Sequence, residues 1–133
     1  MFEELIKKAT EVLNPRHLSP AAEAGSVAAA ILTESGHIYT GVCIETKCSM
    51  GFCAEHAAAA AMITAGESHI LKMVAINKRG NILPPCGRCR EFISQLDDQN
   101  INAEILINRK KAVLLKDLLP YDWRLAKHAE FDE

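Results

Sequence analysis

Phe2, Leu5, Ile6, Ala9, Val12 and Leu13 recur three and four positions apart. That spacing predicts an amphipathic helix over residues 2–14, ended by Pro15. Residues 15–25, with two prolines and Gly25, read as a loop. Residues 26–33 and 37–44 carry Val27, Ile31, Ile38 and Val42 and face each other across Glu34-Ser35-Gly36, which predicts a strand pair. After a loop over 45–52, the alanine-dense stretch 54–65 predicts a second helix that packs closely on a sheet and is capped by Gly66. Residues 70–77 form a short apolar run without alternation, the pattern of a strand buried on both faces. A loop over 78–85 leads to a third helix over 87–96, with Phe92, Ile93 and Leu96 on one face. Two further strands are expected over 103–108 and 113–115, either side of the Arg109-Lys110-Lys111 turn. A short helix over 116–119 is closed by Pro120.

Helices thus interleave with strands after the opening hairpin, which predicts an α/β sandwich around a mixed sheet. No repeat or linker interrupts the pattern, so residues 1–133 are expected to form one catalytic domain. At 133 residues and 49% hydrophobic, the chain can bury one real core. Its net charge of −2 and short basic clusters suit a small uncharged ligand better than a nucleic acid polymer. No stretch reads as a signal peptide or a membrane span, so a cytoplasmic location without membrane contact is expected. Five cysteines, an odd number, argue against a disulfide framework and leave metal or redox chemistry.

Three of those cysteines stand in two motifs, Cys53-Ala54-Glu55 and Pro85-Cys86-Gly87-Arg88-Cys89. Each motif opens a predicted helix. Three thiolates on Zn²⁺ carry a net charge of −1, which the partial positive charge of helix N-termini offsets. Three protein ligands also leave a fourth tetrahedral position open for water. Thiolates make zinc a poorer Lewis acid than imidazoles do, so the water needs a base. Glu55 is the candidate, passing a proton from water to a ring nitrogen and then to a leaving amine. Arg88, Arg90 and His56 are close enough in sequence to supply further donors to the sulfurs. A different class of reading uses Cys48 as a fourth thiolate in a closed, non-catalytic Cys₄ module. Cys43 reads as a small hydrophobe on a strand.

With these motifs, the late Leu118-Leu119-Pro120 and its element order, the chain resembles the small cytidine deaminases, including the blasticidin-S deaminases. The resemblance implies a three-layer α/β/α fold around a mixed five-stranded sheet and one zinc per subunit. It implies a homotetramer with active sites at subunit interfaces. The implied reaction is hydrolysis of cytidine or deoxycytidine to the uracil nucleoside and ammonia. Zinc would be held by Cys53, Cys86 and Cys89, with Glu55 catalytic and with Glu45 and Ala54 at the substrate. Trp123 is a candidate lid over a neighbouring subunit's site, or a tail anchor.

The chain departs from the family in three places. Cys43-Ile44-Glu45 stands where Asn-x-Glu usually binds the ribose, and a thiol cannot replace a two-way amide hydrogen bond. Ala24-Gly25-Ser26-Val27 lacks the aromatic that usually packs on the base. His56 follows Glu55 where an arginine is common; a neutral His donates one hydrogen bond, or simply faces solvent. These departures raise a modified cytosine nucleoside such as blasticidin S as the alternative substrate.

Overall fold

The computed structural model describes residues 2–125. Helix α1 (Phe2–Val12) is followed by strands β1 (Arg16–Ser19), β2 (Ala22–Thr33) and β3 (Ile38–Glu45), then α2 (Ala54–Thr64), β4 (Ile70–Asn77) and α3 (Gly87–Leu96). Strands β5 (Glu104–Asn108) and β6 (Lys111–Leu114) complete the sheet, with 3-10 turns at Asp98–Asn102, Leu115–Leu118 and Trp123–Leu125.

β2 organises the sheet. β3 runs antiparallel along one edge. Along the other, β1 pairs with the first residues of β2 and β4 with the rest, both antiparallel. β5 joins β4 in parallel and β6 returns antiparallel to β5. The sheet is therefore mixed, with six strands rather than the expected five. The extra strand is β1, which falls inside the segment read as a loop. All four of its residues are exposed, so no buried face marks it in the sequence. The short helix expected near the end is a 3-10 turn one residue earlier than predicted.

Alternation along β2 explains its alanine-rich run. Ala28, Ala30 and Leu32 face α1, where Leu5 and Ala9 meet them together with Val74 and Ile76. Ala29 and Ile31 face the opposite way, towards Ala58 and Met62 of α2 and Ile93 of α3. Both faces of the central strands are buried, giving α/β/α layers. Asn100, fully buried, ties the second layer together. Its Oδ1 accepts from Ile70 N–H (2.8 Å), and its Nδ2 donates to the carbonyls of Ser68 (3.1 Å) and Ile93 (3.0 Å).

α2 lies unusually close to β3 because Gly41 has no side chain. A Cβ there would sit 2.3 Å from the backbone nitrogen of Ala58. Backbone cannot yield as a side-chain tip can, so Gly41→Ala forces α2 off the sheet. Overpacking of this kind costs about 1–3 kcal/mol. Chemical denaturation of the variant should show that loss, with weaker zinc binding because Cys53 and Glu55 ride on α2. Wild-type stability would mean that α2 shifts without penalty.

A three-thiol centre at two helix N-termini

Cys53 is the N-cap of α2 and Cys86 the N-cap of α3; both have extended backbone and neither side chain caps its helix. Their sulfurs are left free to face each other at 3.6 Å. Cys89, in the first turn of α3, is fully buried. The three Sγ atoms all lie within 4.8 Å of one another. Two sulfurs held about 2.3 Å from one tetrahedral centre stand about 3.8 Å apart, so the observed contact fits a shared zinc ion. It is far beyond a disulfide bond of about 2.05 Å. All five cysteines are free thiols. Cys48 lies outside the cluster, exposed, so among the described residues no fourth thiol closes the site.

The protein alone sets these groups apart. Burial pushes the Cys53 thiol up, with a further rise from Cys86. Burial does the same to Cys89, reinforced by the charge of Glu55. Burial also acts on Cys86, but the backbone N–H groups of Cys89 and Arg88 and the Cys53 thiol outweigh it and hold Cys86 below the usual thiol range. A divalent cation is what this arrangement calls for, since it would displace the thiol protons and balance the charge.

Glu55 follows Cys53 by two residues and is buried against the cluster. Burial pushes its carboxyl above the usual carboxylate range. It nevertheless borders a cavity of about 550 Å³ that also reaches Cys53 and Cys86. A buried carboxyl beside three thiols, open to a pocket of ligand size, equips the site for proton transfer to a bound molecule.

The profile of the family described as "Cytidine and deoxycytidylate deaminase zinc-binding region" matches residues 2–105. The chain belongs to this family. A cytidine deaminase of Mycobacterium tuberculosis is 32% identical over 97 residues, 71% of this chain and 70% of the relative. The crystal structure of cytidine deaminase from that organism superposes with a TM-score of 0.76 at 27% identity, covering 92% of this chain and 96% of the other. The enzyme from Mycobacterium leprae gives a TM-score of 0.75 at 24% identity over 90% of this chain and 97% of the other, a likeness of fold. The chain is accordingly a zinc-dependent aminohydrolase of the cytidine deaminase family, and Cys53, Cys86 and Cys89 are placed to hold one zinc ion.

The other residues singled out by sequence divide between the site and its scaffold. His56 sends Nδ1 to within 3.2 Å of Cys89 Sγ, and its ring stacks on Phe92 at 4.2 Å. Burial, then the charge of Arg88, keeps its pKa below the usual imidazole range. His56 therefore packs between the sulfur and Phe92 rather than facing solvent, and the Nδ1-protonated tautomer of its neutral ring is the one that can donate to Cys89. Arg88 lines the cavity and reaches the Gly51 carbonyl at 3.4 Å. Arg90 turns away: its Nε donates to the carbonyl of Pro85 (2.8 Å), bracing the segment that delivers Cys86. Ala54 is buried at the cavity, whereas Glu45 sits at its exposed rim. Trp123 is 63% exposed and donates from Nε1 to Glu91 Oε2 at 3.1 Å.

Sequence reasoning missed the apolar walls. Val27, Phe52, Leu83 and Pro84 all line the cavity. Cys43 also lines it, with Sγ 3.3 Å from Ser26 Oγ. Aliphatic residues on strands look alike whether they face a core or a pocket. Phe52 carried one usable signal: a ring placed directly before a metal-ligating cysteine.

Proposed function

We propose that this deaminase hydrolyses the 4-amino group of a free cytosine nucleoside, cytidine or deoxycytidine first, releasing ammonia and the uracil nucleoside. The observation that carries this reading is Glu55, buried beside the three thiols and bordering a nucleoside-sized cavity. Its support also comes from the relative that is named a cytidine deaminase. Cys53, Cys86 and Cys89 would hold the zinc ion, which would supply Lewis acidity beside Glu55.

Burial makes Glu55 a better base than a solvated carboxylate. It takes a proton as water adds to C4 and delivers it to ring nitrogen N3. It then passes the second proton to the exocyclic nitrogen, the C4–N bond breaks, and ammonia leaves as the C4 carbonyl forms. Ala54 floors the pocket beside this carboxyl. Glu45 at the rim accepts hydrogen bonds from sugar hydroxyls. His56 donates to Cys89 and offsets the charge of the thiolates. The apolar walls exclude water from the base.

Cys43 favours a second reading. Its thiol, already paired with Ser26, leaves the usual amide contact to the sugar unmade. That supports a modified cytosine nucleoside such as blasticidin S. Ultraviolet-monitored turnover of cytidine, deoxycytidine, their 5-methyl analogues and blasticidin S decides between them. Preference for the two plain nucleosides supports the first reading, and blasticidin S alone the second. No turnover of any would refute both.

The active form is a cytoplasmic homotetramer in which Trp123 covers a neighbouring subunit's site. No described helix is long and apolar enough to cross a membrane. Tyr121, Trp123 and Leu125 are exposed together near the end of the described chain, which supports an apolar contact there. Trp123→Ala should then raise KM about 5- to 100-fold, roughly the 1–3 kcal/mol of one lost ring contact. Unchanged KM and kcat would remove Trp123 from the site.

A further inference from the structure

Phe52 lies immediately before Cys53 and lines the same cavity as Glu55. Among the described lining residues it is the one aromatic ring. Its backbone is clamped to β3. Phe52 N–H donates to the Ile44 carbonyl at 3.0 Å, and Ile44 N–H donates to the Phe52 carbonyl at 3.1 Å. Gly51 permits this approach, because a Cβ there would lie 2.2 Å from the Ile44 oxygen. The root of the side chain is therefore fixed, and with it the start of α2 that carries Cys53.

Phe52 is 37% exposed and belongs to neither apolar core. A ring left half in water on a rigid backbone forfeits part of its burial energy unless something covers it. Here the open face borders a ligand cavity, and the partner chemistry that suits a phenyl face is another flat π-system. Val27, Leu83 and Pro84 offer aliphatic walls that cannot stack.

We propose that Phe52 stacks on the pyrimidine ring of the substrate and fixes its plane relative to Glu55. The proposal rests on the cytosine-nucleoside reading above. Stacking engages any base through its π-face, so the ring supplies affinity and orientation and not discrimination between cytosine and uracil. An interaction shared by substrate and product, and kept through the reaction, appears in KM and not in kcat.

The test compares Phe52→Leu with Phe52→Tyr in zinc-loaded protein, reading KM and kcat for cytidine, the inhibition constant of uridine, zinc content and Tm. F52L should raise KM and the uridine constant by the same factor, about 5- to 100-fold, with kcat within about threefold and zinc content unchanged. F52Y keeps a ring and should restore both constants. Wild-type constants in F52L overturn the proposal. So does a loss that follows zinc content, Tm or subunit assembly in both variants, which marks a structural role. Calorimetric uridine binding separates this proposal from the reading it rests on. If the wild type turns over no nucleoside, ring-dependent uridine binding still supports stacking, and ring-independent or absent binding overturns it.

Discussion

Glu55→Gln is expected to lower kcat by about 10²- to 10⁴-fold while the protein keeps one zinc per chain. The amide preserves the size of the carboxyl and its place against the thiols, so the fold and the ligand set are retained. It removes the role proposed for Glu55, a group that takes a proton and gives it back. Glu55 is buried, and burial raises its carboxyl above the usual carboxylate range, which strengthens it as a base. Because the lost interaction belongs to the transition state, kcat should fall much further than KM changes. Zinc analysis must accompany the kinetics, since a metal-free variant would be inactive for a different reason. Turnover within a few-fold of wild type, at full zinc content, would show that another group moves the proton.

Cys89→Ser should abolish stoichiometric zinc binding and, with it, measurable deamination. Cys89 is the fully buried member of the cluster, and its sulfur also lies 3.2 Å from His56 Nδ1. A serine hydroxyl does not ionise under conditions where a thiol does, so two thiolates remain where three are needed. Metal binding free energy is also stability of the loaded protein, so Tm in the presence of zinc should fall towards that of the metal-free form. Cys48→Ser provides the contrast. Cys48 is exposed and outside the cluster, so zinc content and activity should be unchanged. Loss of zinc in Cys48→Ser would revive the closed Cys₄ module. Zinc affinity should also rise with pH. Cys53 and Cys89 are held above the usual thiol range and must release protons to bind.

How much of this was legible beforehand depended on how each segment announces itself. β4 and α3 occupy the predicted residues because one is an unbroken apolar run and the other a face with helical period bounded by Pro84-Pro85. α2 was legible as a close-packed helix, although its partner in that packing, Gly41, was not. A glycine in a strand carries no mark of what approaches it. β1 reads as loop in the sequence because four exposed residues beside two prolines offer no periodicity. The three thiols are legible because metal ligands need particular residue types at particular offsets, which apolar walls do not, and the same motif places Glu55 buried beside them. The setting of His56 is half legible: the sequence places it next to Glu55, but only packing turns Nδ1 to Cys89 and sets Phe92 behind it. Phe92 stands three residues after Cys89 on α3, so one helical turn supplies both the sulfur and the ring on which His56 stacks.

The central claim is that the three thiols and Glu55 form a zinc-dependent catalyst and not a structural clip. It is tested most directly by measuring ammonia and uridine together from cytidine. The protein is assayed zinc-loaded, then stripped by chelator, then reloaded. Equimolar products are expected from the loaded protein, none after stripping, and recovery on reloading with one zinc per chain. Equal product formation with and without zinc, or none from fully loaded protein, would contradict it.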